Sequence, residues 1–130
     1  MYKKENHLTK VRDFALVLKY GHWINGGFLS LKVLILAKAR DYFPKKEDVD
    51  KFEKQLKIAI NVGIKVSKKA VERNRAKRQI REVIRLLMED SMLKTGFYLF
   101  FDAKPNIKEK DYSEISQEVK VLLNKAGVLA

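Results

Sequence analysis

The sequence predicts a mixed α+β fold, an α/β sandwich in a single domain over residues 1–130, with the order helix, strand, strand, helix, strand, helix. Two patterns support this prediction. From 56 to 66, apolar residues occupy every second position, which is typical of a strand with one buried face. From 71 to 89 they recur at helical spacing, at Ala76, Ile80, Val83, Ile84 and Leu87. A chain of 130 residues, 46% hydrophobic, can bury a core of its own.

Two further helices are predicted at the ends of the chain. The first covers residues 8–20 and stops at Gly21, with either Thr9 or Asp13 as its cap. Its predicted buried stripe consists of Val11, Phe14, Ala15 and Leu18. The last helix covers residues 111–126 and ends before Gly127. Its predicted buried stripe consists of Ile115, Val119, Leu122 and Ala126.

Two further strands are predicted over residues 28–37 and 97–101. Both contain unbroken apolar runs, VLILA and FYLFF, so we expect them to be covered on both faces. In the first half of strand 28–37, one face carries Leu29 and Leu31, and the other carries Phe28, Ser30 and Lys32. The charged segment 38–55, which contains Pro44, is predicted to be a solvated connector.

Positive charge is concentrated in one short stretch. The formal net charge of the chain is +12, and residues 65–85, KVSKKAVERNRAKRQIREVIR, contribute +7 through nine basic and two acidic residues. Such a segment repels itself unless it meets an anionic partner. Nucleic acid, an anionic membrane surface and an acidic protein are the three candidates.

Other functions are excluded or disfavoured by composition. Without cysteine the chain has no disulfide, thiolate metal site or cysteine nucleophile, and His7 and His22 are too few for an all-histidine zinc centre. We find no pattern of a catalytic site and no phosphate-binding loop, and assign neither catalytic nor metal-binding residues to the protein. Its polar start and lack of a long apolar run predict a soluble, cytoplasmic protein that does not enter a membrane.

The basic stretch is predicted to form one exposed face of the long helix. At about 100° per residue, its cations turn away from the apolar stripe, and they form an arc with Asn74: Lys77, Arg78, Arg81 and Arg85. Arg73 and Arg75 lie in the first turn, where the helix dipole disfavours cations and free N–H groups attract anions. A phosphate would relieve that repulsion. Because arginine binds phosphate in a bidentate manner and the apolar stripe is needed for the core, nucleic acid is preferred over a membrane.

Polar and aromatic residues elsewhere extend this prediction. The polar side of strand 56–66, with Asn61, Lys65 and Ser67, leads directly into the basic helix. Aromatic rings beside such a surface can stack on the bases of a single strand. The candidates are Phe14, Tyr20, Trp23 and Phe28, each of which could equally be an ordinary core residue.

The run VSKKAVERNRAKRQIRE, residues 66–82, resembles the protein component of bacterial ribonuclease P. That family has a strand ending in Val-Ser-Lys-Lys and a helix opening with Arg-Asn-Arg, which correspond here to residues 66–69 and 73–75. The flanks are similar too: Leu8-Thr9-Lys10 with Asp13-Phe14, Val62-Gly63-Ile64 and the ending 122–127. The resemblance covers nearly the whole chain except 38–55.

The resemblance implies a protein subunit of a ribonucleoprotein endonuclease that removes the 5′ leader from precursor tRNA. Its RNA subunit would perform the cleavage with Mg²⁺. It implies RNA binding by Lys65, Ser67, Lys68, Lys69, Arg73, Asn74, Arg75, Lys77, Arg78, Arg81 and Arg85. Leader-cleft candidates between the first helix and the sheet are Phe14, Leu18, Phe28 and Asn61. The implied fold is ribosomal-protein-S5-domain-2-like, with a left-handed βαβ crossover against the usual preference. The alternative is a ribosomal-protein-like RNA-binding protein without a role in cleavage.

Three features depart from the family pattern. About three residues, including a glycine, are absent after Lys69, so a tighter turn should aim Lys68 and Lys69 differently. Leu18 stands where a second phenylalanine is common, so the cleft should stack less and pack more. The connector 38–55 is longer than is common.

Overall fold

The computed structural model describes residues 6–39 and 54–130. Helix α1 (Val11–Tyr20) precedes a hairpin of strands β1 (His22–Asn25) and β2 (Leu29–Ile35), followed by the short helix α2 (Leu36–Ala39). Then come β3 (Leu56–Asn61), the long helix α3 (Ala70–Glu89), β4 (Phe97–Ala103), a 3₁₀ helix (Pro105–Glu109) and α4 (Tyr112–Lys125). The predicted order of helices and strands is confirmed, with short elements added to it.

The four strands form one sheet in the order β1-β2-β4-β3. Strand β2 pairs antiparallel with both β1 and β4, with Leu31 opposite Ile24 and Phe101. Strand β3 pairs parallel with β4, with Ile58 opposite Leu99. Because α3 connects these two parallel neighbours, the expected βαβ unit is present. Its left-handed sense stays a prediction.

One face of the sheet is covered by α3 and α4. All five residues of the predicted α3 stripe are buried there, together with Ile115, Val119 and Leu122 of α4. Leu99 and Phe101 of β4 project into the same cluster, and neither is exposed. This face holds the larger hydrophobic core, on which α3 is fixed.

The other face of the sheet is covered by α1 and α2. Tyr98 and Phe100 project there from β4, between the residues that face α3, and pack in a second cluster with Val17 and Leu36. The apolar runs of β2 and β4 are therefore buried on both sides, as predicted from their composition.

Helix α1 uses a different face from the one that the pattern predicted. Val11 is 85% exposed and Leu18 is 43% exposed, whereas Val17 and the carboxylate residue Asp13 are fully buried. A hydrophobic pattern misses this face because a buried aspartate counts as polar. The helix begins at Val11 rather than residue 8, and its N-cap is Lys10, so neither Thr9 nor Asp13 caps it.

The predicted strand 56–66 is too long by five residues. Strand β3 ends at Asn61, and the chain then turns, with the Val66 amide donating to the Gly63 carbonyl at 3.0 Å. Val62 and Val66 still reach the core, while Ile64 at the tip of the turn is 70% exposed. The apolar alternation therefore continues through a turn.

The region of β1 and β2 also differs from its prediction, which placed a single strand there. Strand 28–37 ends at Ile35 and continues into α2, and the short strand β1, mostly exposed, was missed. A side chain at Gly26 would place its Cβ 2.6 Å from the Leu29 carbonyl, so only glycine fits this turn. Most of the predicted connector, residues 40–53, lies outside the described residues.

The C-terminal helix matches its prediction at both ends. Asp111 is the N-cap, and it forms a capping box in which its side chain accepts from the Glu114 amide at 2.8 Å. After the helix ends at Lys125, Gly127 takes a left-handed conformation with φ of 75°.

The free edge of β3 is closed by the segment before α1. The Leu8 amide donates to the Ile58 carbonyl at 3.0 Å, and the Asn6 side chain donates to the Leu56 carbonyl at 2.7 Å. His7 forms an isolated parallel bridge with Ile58.

The anchoring of α3 can be tested by truncating its buried side. We expect Ile80→Ala to lower the free energy of unfolding by about 2–5 kcal/mol, because it leaves a cavity in the core. Leu86→Ala, a half-exposed leucine on the same helix, should cost only about 0.5 kcal/mol. Urea unfolding measures both, and equal effects would contradict the assigned buried face.

Candidate nucleic-acid interface

The outer side of α3 presents a row of cations on a fixed support. Asn74, Arg75 and Arg78 are exposed, and Lys77 and Arg81 are half-buried. Among the described residues, none of these four cations forms an ion pair with a carboxylate. The Nε of Arg81 is buried and has no hydrogen-bond partner within that part of the chain. The described residues therefore position the row without neutralising it.

Arg85 differs from the other members of the row. Its guanidinium donates to both oxygens of Glu82, with the Nε bond at 3.0 Å, and also to Glu89. The hydrogen bond from Arg85 lowers the pKa of the Glu82 carboxyl, and the same bond raises the pKa of Arg85 above its ordinary value. Arg85 was predicted to bind RNA, but it already has two carboxylate partners, so its charge is less available than that of Arg78.

The tight turn before α3 is organised by Ser67. The Ser67 hydroxyl accepts from the Lys69 amide at 3.1 Å, and the Ser67 carbonyl accepts from the Arg73 guanidinium at 3.0 Å. Ser67 is buried, so its role here is to shape the turn rather than to offer a polar surface. Lys65, Lys68 and Lys69 are exposed around it. Helix α3 starts at Ala70, directly after Lys69, as the shortened connection required.

Helix α1 lies across the opposite face of the sheet and is tied to two different strands. Near its start, the carboxylate of Asp13 lies 3.4 Å from the ammonium of Lys57 on β3. At its end, the ammonium of Lys32 on β2 donates to the carbonyl of Leu18. Strand β4 lies between β2 and β3, so α1 crosses the sheet over it.

A row of aromatic rings runs along this face. The Phe14 ring meets the Phe100 ring edge to face at a centroid distance of 5.0 Å, and the centroid of the Trp23 ring lies 6.2 Å from that of Phe100. Lys32 and Lys57 flank the row, over the rings of Trp23 and Tyr98. These aromatic and cationic side chains lie where the resemblance implies a cleft between α1 and the sheet, and we call this surface the cleft.

Three of the four leader-cleft candidates lie on this side, and one does not. Phe14 lines the cleft and Leu18 is exposed on α1. Asn61 ends β3 on the same face, and its amide donates to Asp102 at 2.9 Å. Phe28 instead packs in the core beneath α4, with the Lys110 ammonium 5.4 Å from its ring centroid. The structure therefore separates Phe28 from the cleft.

The sheet residues that form the floor of the cleft were not predicted from the sequence. Phe100, Lys32 and Lys57 become neighbours only through the pairing of β2 and β3 with β4. The alternation of β2 did place Lys32 on the face opposite Leu31, and this was the one available signal. Residue types along a single chain do not reveal which strands are adjacent.

The described residues contain neither a candidate metal centre nor a membrane-spanning helix. Within 6–39 and 54–130, no group of three or more histidine, cysteine, aspartate or glutamate residues could hold a metal ion. None of the helices described in these ranges is both long and apolar enough to cross a membrane.

A basic helix fixed on a mixed sheet, with an aromatic cleft on the other face, defines a small α+β protein of the RNA-binding class. The family model for ribonuclease P matches residues 2–127, and the chain belongs to the family of ribonuclease P protein components. These are protein subunits of the ribonucleoprotein endoribonuclease that processes tRNA 5′ ends, and such a subunit has an RNA subunit as partner.

Individual relatives agree with the family match. The chain is 35% identical over 129 residues to the ribonuclease P protein component of Pseudanabaena sp. (strain PCC 6903), covering 99% of this chain and 97% of that protein. It is 33% identical over 125 residues to the same component of Clostridium botulinum (strain Loch Maree / Type A3), covering 96% and 97%. These matches span nearly the full length of both chains and come from bacteria.

Solved structures show the same fold. The Staphylococcus aureus RNase P protein superimposes with a TM-score of 0.74 at 22% identity, covering 98% of this chain and all of that one. The Thermotoga maritima RNase P protein gives 0.67 at 21% identity, covering 92% and 96%. The mixed α+β fold expected from the resemblance, with its order of helices and strands, is confirmed.

Proposed function

We propose that this chain holds the catalytic RNA of ribonuclease P with the outer face of α3, and the single-stranded 5′ leader of precursor tRNA in the cleft under α1. The observation that carries the proposal is a row of cations on a helix whose other side is buried. None of its members forms an ion pair with a carboxylate in the described part of the chain: Arg75, Lys77, Arg78 and Arg81. The two surfaces lie on opposite sides of one sheet, so one subunit can contact two RNAs.

The contribution of α3 is electrostatic and geometric. Binding of phosphates by the cation row releases counterions and relieves the repulsion among its own charges. Because α3 is packed on the core, no backbone ordering is needed when RNA binds. Asn74 and the lysines of the preceding turn extend the surface at the N-terminal end of the helix, where backbone N–H groups favour anions.

The contribution of the cleft is selection of substrate. A single strand can stack its bases on aromatic rings whatever its sequence, whereas mature tRNA has no leader to place there. Phe14 supplies a ring on one wall, and Leu18 and Asn61 supply apolar and polar contacts farther along. Substrate binding would thereby depend on the leader itself.

Chemistry remains with the RNA subunit in this proposal. Mg²⁺ held by that RNA would activate the attacking water and stabilise the leaving oxygen, and the protein residues would orient the substrate. We expect this to take place in the cytoplasm, without a membrane partner.

The decisive experiment is cleavage of precursor tRNA by the catalytic RNA with and without this chain. We expect the protein to increase the rate at low Mg²⁺, where the RNA alone binds its substrate weakly. Cytochrome c, a basic protein without this fold, serves as a charge control. A chain that binds RNA but leaves cleavage unchanged would support the alternative of an RNA-binding protein outside the reaction.

Single substitutions test the α3 face. With about six phosphate contacts, log affinity for the catalytic RNA should fall against log salt with a slope of about −4 to −5. Arg78→Ala should weaken binding by about 1–3 kcal/mol and reduce the magnitude of the slope by about 0.7 to 0.9; Arg75→Ala should act similarly.

Lys120→Ala is the matched control, because it removes the same charge from an exposed position on α4. It should leave the slope unchanged. If Arg78→Ala and Lys120→Ala weaken binding equally, net charge rather than the α3 row drives the association.

The cleft is tested by substituting Phe14. We expect Phe14→Ala to lower the affinity of the assembled enzyme for precursor tRNA by about 1–3 kcal/mol, the worth of one stacked base, and to leave mature tRNA binding unchanged. Phe14→Leu keeps apolar packing against Phe100 but has no ring face. It should lose the same part of the affinity for precursor tRNA, the part that depends on the leader. An equal loss for both tRNAs, together with a lower melting temperature, would make Phe14 a core residue only.

A further inference from the structure

Trp23 occupies an unusual position at the edge of the sheet. It lies on β1 and is 43% exposed, although it is the largest apolar ring on this face. In the register of the hairpin its Cα partner is Lys32, so both side chains emerge on the face that carries α1. Trp23 is thus part of the cleft, at the rim farthest from β3.

Lys32 is a nearly buried cation that supports this ring. It is 9% exposed, its ammonium lies 5.2 Å from the centroid of Trp23, and it donates to the Leu18 carbonyl. Across the described ranges it has no carboxylate partner. Its charge is met by the π-face of the indole and by the negative end of the α1 dipole. Although this cation packs over its ring, Trp23 keeps 43% of its surface exposed, so part of the indole is open to a ligand.

The aromatic row ends at this open ring. Phe100 is almost buried, and Phe14, on α1, is half-buried. Trp23 therefore offers more free surface than either of the other two rings. A partly exposed ring that a nearly buried lysine already holds in place needs little ordering before a flat ligand stacks on it.

We propose that Trp23 is a stacking platform for one nucleobase of single-stranded RNA, with Lys32 fixing the orientation of the indole. A nucleobase fits better than an apolar protein side chain, because the chain carries a net charge of +12 and lysines flank the row. That the strand is the 5′ leader rests on the proposed function above. The strand would then run along the row and leave the cleft over β1.

Trp23 is the single tryptophan of the chain, so its fluorescence reports on this position alone. In the enzyme assembled from the full chain and the catalytic RNA, we expect precursor tRNA to quench the emission and mature tRNA to leave it unchanged. A complete quench by the catalytic RNA alone would place Trp23 at the interface between subunits and overturn the proposal.

The same titration separates this proposal from the one on which it rests. If precursor tRNA binds more tightly than mature tRNA but the emission does not change, Trp23 does not stack, and leader binding elsewhere in the cleft stands. If precursor and mature tRNA bind equally, the proposed leader function itself fails.

Substitution gives a second measurement. Trp23→Leu should weaken precursor binding about 5- to 150-fold, the range of one base–aromatic stack, and Trp23→Phe should weaken it less. Tyr112→Leu, which removes a similarly exposed ring from α4, should have no effect. Thermal unfolding of each variant checks that the fold is retained. The fluorescence titration uses the unsubstituted chain, so its result does not depend on whether the variants fold.

The base that stacks can be located with abasic leaders. At the leader position whose base stacks on Trp23, removal of the base should weaken binding to the unsubstituted protein. The same removal should not weaken binding to the Trp23→Leu variant any further. If the fold-loss from the missing base and the fold-loss from Trp23→Leu multiply at every leader position, the two changes act independently. No base then stacks on Trp23, and the proposal is wrong.

Discussion

The packing of α3 on the sheet is the constraint on which the rest of the structure depends. Ile80 and Ile84 are completely buried between the helix and the sheet, and the two ends of α3 continue into neighbouring parallel strands. The helix can neither roll nor slide without opening the larger core. Its outer side chains therefore keep their spacing in the absence of RNA, unlike those of a disordered basic tail, which must be ordered when it binds.

The second face of the sheet is held by a different kind of interaction. Helix α1 buries few large apolar residues, and its ends are tied through Asp13 to β3 and through Leu18 to Lys32 of β2. Polar contacts of this kind depend on direction, so they set the angle at which α1 crosses the sheet. Since α1 buries little apolar surface, two aromatic rings of the cleft, Phe14 and Trp23, stay partly exposed.

How far the sequence predicts this molecule depends on the range of each interaction. The stripe of α3 and the cap and stop of α4 are local, and they appear in the structure as expected. Asp13 could not be predicted as buried, since its partner Lys57 is 44 residues away. Phe28 and Phe14 are both aromatic residues near strands, and only the sheet places them on opposite faces. The cation row was predicted, whereas the pairing of Arg85 with Glu82 and Glu89 was missed although it is local, at i,i+3 and i,i+4 spacing on α3.

The short segment before α1 has a role beyond leading into the helix. The Asn6 side chain and the Leu8 amide donate to the carbonyls of Leu56 and Ile58 on the edge of β3. A strand of another molecule could otherwise form hydrogen bonds with these carbonyls. Residues 6–8 thus hinder self-association through the edge of the sheet. The net charge of +12 also opposes association of two copies of the chain. This protection does not depend on the net charge of the chain, so it persists when RNA phosphates bind the cations of α3.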